Sequence, residues 1–344
     1  MGRSSKYLMY KNIFTSTGFG GTGSSAIIDI LSEFSNGKSL GNAEIWFLQE
    51  QNGISDLEHY LIDGNHRSRV DKALKNFYKY LKKDGLQYNK IFNKKFIKFS
   101  NDYIESFIDA DFRKPLVKGD LDSKIFNFLY FKIYYSLVIK FRSLLFKNNF
   151  EFYPLCIFVR KYYSLPDRER FYKKTQEYTS RLFNSIFVKN KSYFLAIDQL
   201  VPANKICRYF NYVSNLKVFL VDRDPRDLFL LNKRNWNNSA PYICDTSDVN
   251  EFIVWYETMR SEINFYKNKQ NICFIQFEDL IYKYEYTLKK IYNFTGLTAD
   301  KHINKFSKFD PEKSILNTKL WVNEKEYIRE INIIENKLSN FCYG

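Results

Sequence analysis

Between Ser24 and Phe34 the apolar side chains Ala26, Ile27, Ile30, Leu31 and Phe34 recur at the spacing of one helical face, and the upstream pair Ile13-Phe14 suits the end of a short strand. The stretch that joins them, TSTGFGGTGSS, holds Gly18, Gly20, Gly21 and Gly23, so the pattern predicts strand, glycine-rich turn and helix. Short β-like runs recur at Asn12 to Thr15, Glu44 to Leu48, Ser192 to Ile197, Lys217 to Val221 and Ile272 to Phe277. Each is followed by polar or helical sequence, and that alternation predicts an α/β fold with a central, mostly parallel sheet. Over about residues 56–185, Lys, Phe, Tyr and Leu recur at helical spacing, broken near Pro115, Pro154 and Pro166, which predicts a large helical insertion capping the sheet. Its most lipophilic run, Phe126 to Phe146, is interrupted by Lys132, Lys140 and Arg142; a buried amphipathic helix is expected there rather than a membrane span. No internal repeat or Gly/Ser linker marks a boundary, so a single domain over residues 1–344 is expected.

Composition narrows the partners. A chain that is 45% hydrophobic and 19% aromatic can bury a large core. Lys and Arg exceed Asp and Glu by 53 to 38, giving +15, which points to an anionic partner: a nucleotide, an acidic polysaccharide, nucleic acid or a lipid surface. Neither an RNP signature nor a zinc-finger spacing is present, so nucleic acid is not the expected partner, while peripheral association with a membrane stays open. Cys156, Cys207, Cys244, Cys273 and Cys342 form no C-x-x-C pair and have no close His, so neither a disulfide framework nor a zinc site is indicated. The N-terminal MGRSSKYLMY has no apolar core of a signal peptide, and a cytoplasmic location with no transmembrane segment is expected.

The candidate chemistry starts in the glycine-rich turn. Glycines permit positive φ and close backbone approach, so the N–H groups of Gly20, Gly21, Thr22, Gly23, Ser24 and Ser25 can converge on an anion at the positive end of the following helix. Gly18-x4-Gly23-Ser24-Ser25 has the spacing of a Walker A loop, but Ser24 stands where the lysine should be. After the strand KVFLV comes DRDPRDLFLL, in which Arg223 and Arg226 flank Pro225. Two guanidiniums at a strand's carboxyl end make a phosphate clamp, or else pair with Asp222, Asp224 and Asp227. Asp198-Gln199 ends another strand, where it would orient an acceptor or, in a kinase, hold magnesium. His66 is one of only three histidines and a candidate general base.

Three segments, in this order, resemble the PAPS-dependent sulfotransferases: the glycine-rich loop after the first strand, the R-D-P turn at Arg223, and FEDLIYKYEYTLKKIYNFTGL, Phe277 to Leu297. The resemblance covers roughly Asn12 to Leu48 and Lys191 to Trp321. It implies a P-loop three-layer sandwich in which the loop cradles the phosphosulfate of 3′-phosphoadenosine 5′-phosphosulfate (PAPS) and Arg223 binds its 3′-phosphate. AEIWFLQ is similar to the segment that carries the catalytic base of the family's glycan sulfotransferases, and this implies Glu44 as base. FDPEKSILNTKLW lies where the family's closing loop would, with Lys313, Ser314, Asn317 and Lys319 as donor contacts. The chain departs from the family at the loop lysine, whose place is taken by Gly21, and at the serine eight residues after the R-D-P arginine, which is Leu231 with Asn232 beside it. Lys11, Arg67, Lys205 and Lys319 are the candidates to replace the loop cation.

The expected function is therefore sulfuryl transfer from PAPS to a hydroxyl, or an amine, of a carbohydrate, with Glu44 or His66 as base and no metal. A Mg-ATP kinase using Asp198 as metal ligand is the alternative enzyme. A non-catalytic, basic anion-binding protein is the alternative outside enzymology.

Overall fold

The computed structural model of the chain describes residues 10–64, 66–116, 124–145, 157–191, 193–237 and 243–344. The N-terminal nine residues, Phe146, Pro154, Cys156 and Ser192, named above, lie outside them. The chain builds a five-stranded sheet from β1 (Asn12–Gly18), β2 (Gly37–Glu44), β5 (Phe194–Asp198), β6 (Leu216–Asp222) and β7 (Ile272–Gln276), in the order β2-β5-β1-β6-β7. Every neighbouring pair is parallel, so Gly18, Glu44, Asp198, Asp222 and Gln276 all end at one edge, where ligands bind in open α/β sheets.

The period of two along the strands divides the core into two layers. Phe194 and Ala196 of β5 face one side, packed with α1 (Ser25–Ser32) and with Leu288 and Ile291 of the helix Tyr284–Thr295. Leu195 and Ile197 face the other, packed with the helices Arg67–Lys83, Phe96–Glu105 and Arg168–Asn184. The expected three-layer arrangement is present, and the predicted face of α1 (Ala26, Ile27, Ile30, Leu31), together with Phe34 just beyond it, is buried.

Three expectations are corrected. The strand expected over Glu44 to Leu48 is absent beyond its first residue: β2 comes earlier and ends at Glu44. Its sequence GKSLGNAE is too polar and glycine-rich to read as a strand because β2 lies at the sheet edge, half exposed, whereas Ile45, Phe47 and Leu48 are apolar because they enter the core beneath the helical layer. The insertion is not wholly helical: β3 (Ala110–Pro115) and β4 (Phe158–Tyr163) pair antiparallel. The lipophilic run in 124–145 is helical but not buried; most of its large apolar side chains face solvent. The insertion's buried aromatics, among them Tyr88, Phe92, Phe96, Tyr103, Phe107 and Phe171, pack on one another in the core.

Candidate functional site

The loop between β1 and α1 is shaped by backbone signs that glycine tolerates, with φ of 87° at Gly20, 65° at Gly21 and 84° at Gly23. Packing demands glycine as well. A Cβ on Gly23 would lie 2.4 Å from the Phe277 ring, and one on Gly21 would lie 2.7 Å from Trp236. The carbonyls of Gly23 and Ser24 accept from Ala26 and Ile27, which starts α1, but the six amides from Gly20 to Ser25 donate to nothing among the described residues. The hydroxyl of Thr22 is buried and unpartnered too. This is a run of donors at a helix N-terminus with nothing among the described residues to receive them, the composition of an anion cradle.

The next strand over fixes the loop's serines. Ser25 Oγ donates to Asp198 Oδ2 at 2.7 Å, and Gln199 Nε2 donates to Ser24 Oγ at 2.8 Å. Gln199 sits at φ 53° and accepts from Thr17 Oγ1 at 3.2 Å. Asp198 Oδ1 is buried with no partner. Burial, only partly offset by the Ser25 bond and reinforced by the nearby charge of Glu44, pushes the Asp198 carboxyl up to about 6. Glu44 pairs in register with Asp198, yet its side chain is exposed at the sheet edge; partial desolvation raises its pKa as well. The structure thus brings Glu44, Asp198, Gln199, Ser24 and Ser25 together at one end of the sheet. His66 is exposed just before the helix Arg67–Lys83, its carbonyl accepting from the amides of Arg69 and Val70.

Arg223 and Arg226 have opposite fates. Arg223 is buried, stacked 4.6 Å over the Phe277 ring; its Nη1 donates to Gly21 O at 3.3 Å and its Nη2 to the carbonyl of Asn317. No carboxylate pairs with it among the described residues, and its Nε is buried without a partner. Burial lowers its pKa, against the pull of Asp227, Glu278 and Asp224. Arg226 does not join a clamp. Its Nη2 donates to Asp224 Oδ2 at 2.6 Å and to Tyr343 O at 2.9 Å, its Nη1 donates to Glu335 at 2.9 Å, and it stacks 3.7 Å from Trp321. Its donors are spent on the fold, because Asp224, capping the helix Pro225–Leu230, lies two residues away.

The closing loop is held from beneath. Asp227 accepts from the amides of Lys319 at 2.8 Å and Leu320 at 2.7 Å, and burial pushes its carboxyl up to about 6. Glu278 accepts from the Asp224 amide at 2.9 Å and is raised by burial to about 7. Asn317 contributes a backbone carbonyl to Arg223, while Lys313 is exposed and paired with Asp310, and Ser314 only continues the turn. Asn232 is buried against Thr246. Of the four candidate cations, Lys11 sits at the amino end of β1, away from the loop, and Lys205 pairs with Glu262. Lys319 lies over the Tyr282 ring at 4.6 Å, and the side chain of Arg67 is outside the described residues. The group that does touch the lysine's vacated place, Gly21, is Arg223. Sequence reasoning missed this contact and the two rings, Trp236 and Phe277, that make glycine necessary. Phe277 was visible as a motif residue, but nothing in its spacing says that it packs on a loop more than 250 positions earlier.

No family model and no curated protein matches the chain. Among solved structures it is similar to the sulfotransferase domain of the Synechococcus PCC 7002 olefin synthase (11% identity, 95% of each chain covered, TM-score 0.41) and to the sulfotransferase domain from the curacin biosynthetic pathway (11%, 95% of this chain and 97% of that one, 0.39). It is also similar to the sulfotransferase STF1 of Mycobacterium tuberculosis H37Rv (8%, 97% and 78%, 0.37). At identities this low and superpositions this loose, what the chain does has to be read from its own residues.

Proposed function

We propose that the chain is a sulfotransferase that moves a sulfuryl group from PAPS to an acceptor hydroxyl. One observation carries the reading: a cradle of six amides adjoins a buried arginine that contacts the cradle's own Gly21 carbonyl, and among the described residues neither the amides nor the arginine has an anionic partner. Two separate anion-seeking groups fit a donor with two separate anionic groups. The loop amides and the N-terminus of α1 would hold the 5′-phosphosulfate, and Arg223 the 3′-phosphate, exchanging carbonyl contacts for phosphate oxygens. PAPS would supply an activated sulfuryl group: in-line attack of the acceptor oxygen forms the new S–O bond as the bond to the 5′-phosphate breaks, and 3′,5′-ADP leaves. Glu44, open to solvent at the strand end, would accept the proton of the attacking hydroxyl; Asp198, through Ser25, holds the loop in position. A carbohydrate is the acceptor class we assign, and its support is the Glu44 segment alone, since the insertion's buried aromatics are spent on packing.

A second reading, a Mg-ATP kinase, is favoured by the Ser25–Asp198 hydrogen bond, which joins the two side chains that would share a metal in such an enzyme. Melting curves separate the two. 3′,5′-ADP in EDTA is expected to raise Tm more than ATP does, because a ligand stabilises the state it binds. Arg223→Ala should cost 3′,5′-ADP roughly 10- to 100-fold in affinity while weakening 5′-AMP much less. Stabilisation by ATP that requires magnesium, with no response to 3′,5′-ADP, would establish the kinase.

A further inference from the structure

We propose that the helical stretch 124–145 seats the protein on an anionic lipid surface. This rests on features separate from the donor site. Three consecutive helical segments, Lys124–Asn127, the wider-turned Phe128–Tyr134 and Tyr135–Leu145, run on without a break for about 33 Å at the helical rise. Along them Ile125, Leu129, Ile133, Leu137 and Phe141 recur every fourth residue as one ridge, and each is between 43% and 75% exposed. Phe128 and Ile139 add to it. A run of large apolar side chains left in water marks a surface that is covered in use.

The chemistry of the cover follows from the charges. No Asp or Glu occurs from position 124 to 145, whereas Lys132 and Lys140 are exposed beside the ridge, and Lys124 and Arg142 stand near the ends of the run. Tyr134 and Tyr135 are exposed as well, the amphipathic rings favoured at a membrane boundary. Lys132, interleaved with the ridge, can lay its stem along lipid and keep its ammonium group among headgroup phosphates. A second copy of this chain fits poorly, because an isologous contact would set this acid-free, cationic stretch against itself. Nor does the stretch cross: no helix among the described residues is long and apolar enough.

The helix is anchored so that the ridge stays outward. Tyr130, on the neighbouring row with Phe126 and Tyr134, is buried; its ring stacks between theirs at 5.9 and 5.5 Å, and its hydroxyl accepts from the Ile157 amide at 3.3 Å. Ile157 and Phe158, exposed where β4 begins, extend the apolar surface onto the β3–β4 pair.

Vesicle flotation of the full chain tests this. Vesicles of phosphatidylcholine with roughly 30% phosphatidylglycerol should carry the protein, neutral phosphatidylcholine vesicles should carry much less, and about 0.5 M NaCl should release a large part. Ile133→Glu with Leu137→Glu should weaken capture by about tenfold or more while leaving a cooperative thermal transition at an unchanged Tm, which shows that the variant is folded. Lys132→Gln with Lys140→Gln should weaken binding to the anionic vesicles selectively. Absence of capture by any vesicle, equal capture of the Glu variant, or a dimer in sedimentation that the Glu variant disperses without any lipid binding would each overturn the proposal.

Discussion

Glu44 and Asp198 are neighbours in register on adjacent strands, yet one side chain meets solvent and the other is sealed in. That difference separates their roles. Asp198, lifted to about 6 by burial and by the charge of Glu44, is spent on Ser25, whereas Glu44 is exposed, as the proposed role of base requires. Glu44→Gln keeps the size and removes the basic oxygen, so turnover should fall by roughly 10² to 10⁴ while 3′,5′-ADP affinity stays constant. The sign of the pH dependence is also fixed. Burial raises the pKa of Glu44, and a base works deprotonated, so the rate of the unmodified enzyme should rise with pH through that raised value and level off above it. The Gln variant should lose this limb, and His66→Ala should keep it. If His66→Ala abolishes turnover and Glu44→Gln does not, the base is His66.

At the scale of elements, the loop is made by what presses on it. Phe277 lies against Gly23 on one side and beneath Arg223 on the other, so β7 helps to shape a turn that follows β1. Gly23→Ala combines a positive φ with a Cβ 2.4 Å from that ring, and it should cost more than about 1 kcal/mol in urea titration and weaken 3′,5′-ADP. Adding Phe277→Leu should recover part of the stability, because it relieves the clash but not the backbone strain; full recovery would mean that φ at Gly23 is not limiting. These elements also show why some of the site was legible and some was not. The loop, Arg223 and the Asp198 strand end could be read from sequence because each is local: glycine spacing, a turn after an apolar run, a polar pair closing a strand. The β2 boundary was misplaced because an edge strand need not be apolar. For Arg226 the local alternative was legible, since Asp224 two residues away takes its donors; Glu335 and Tyr343, over 100 positions downstream, complete that pairing where no spacing rule connects them. The exposed helix was read as buried because lipophilic sequence alone does not say which surface will cover it.

For the whole molecule, the carboxyl end of the sheet concentrates buried acids. Asp198 and Asp227 stand at about 6 and Glu278 at about 7, all raised by burial. A carboxyl whose pKa is higher folded than unfolded contributes stability below the unfolded value near 4, and that contribution disappears as pH rises through the folded value. Tm should therefore decline from about pH 5 toward pH 8. Asp198→Asn should flatten part of the decline, and a variant curve parallel to the original would assign the slope to other groups. The bonds from Asp224 and Arg226 to Tyr343 carry a consequence of another kind. Tyr343 donates its amide to Asp224 at 2.9 Å across a separation of 119 residues, and Asn317 and Lys319 come nearly as late. During synthesis at roughly 5 to 20 residues per second, the arginine turn must wait on the order of ten seconds for the peptide groups that complete it. Until then its charges have no place in a closed core, and the turn that follows β6 stays open long after β6 itself has been made.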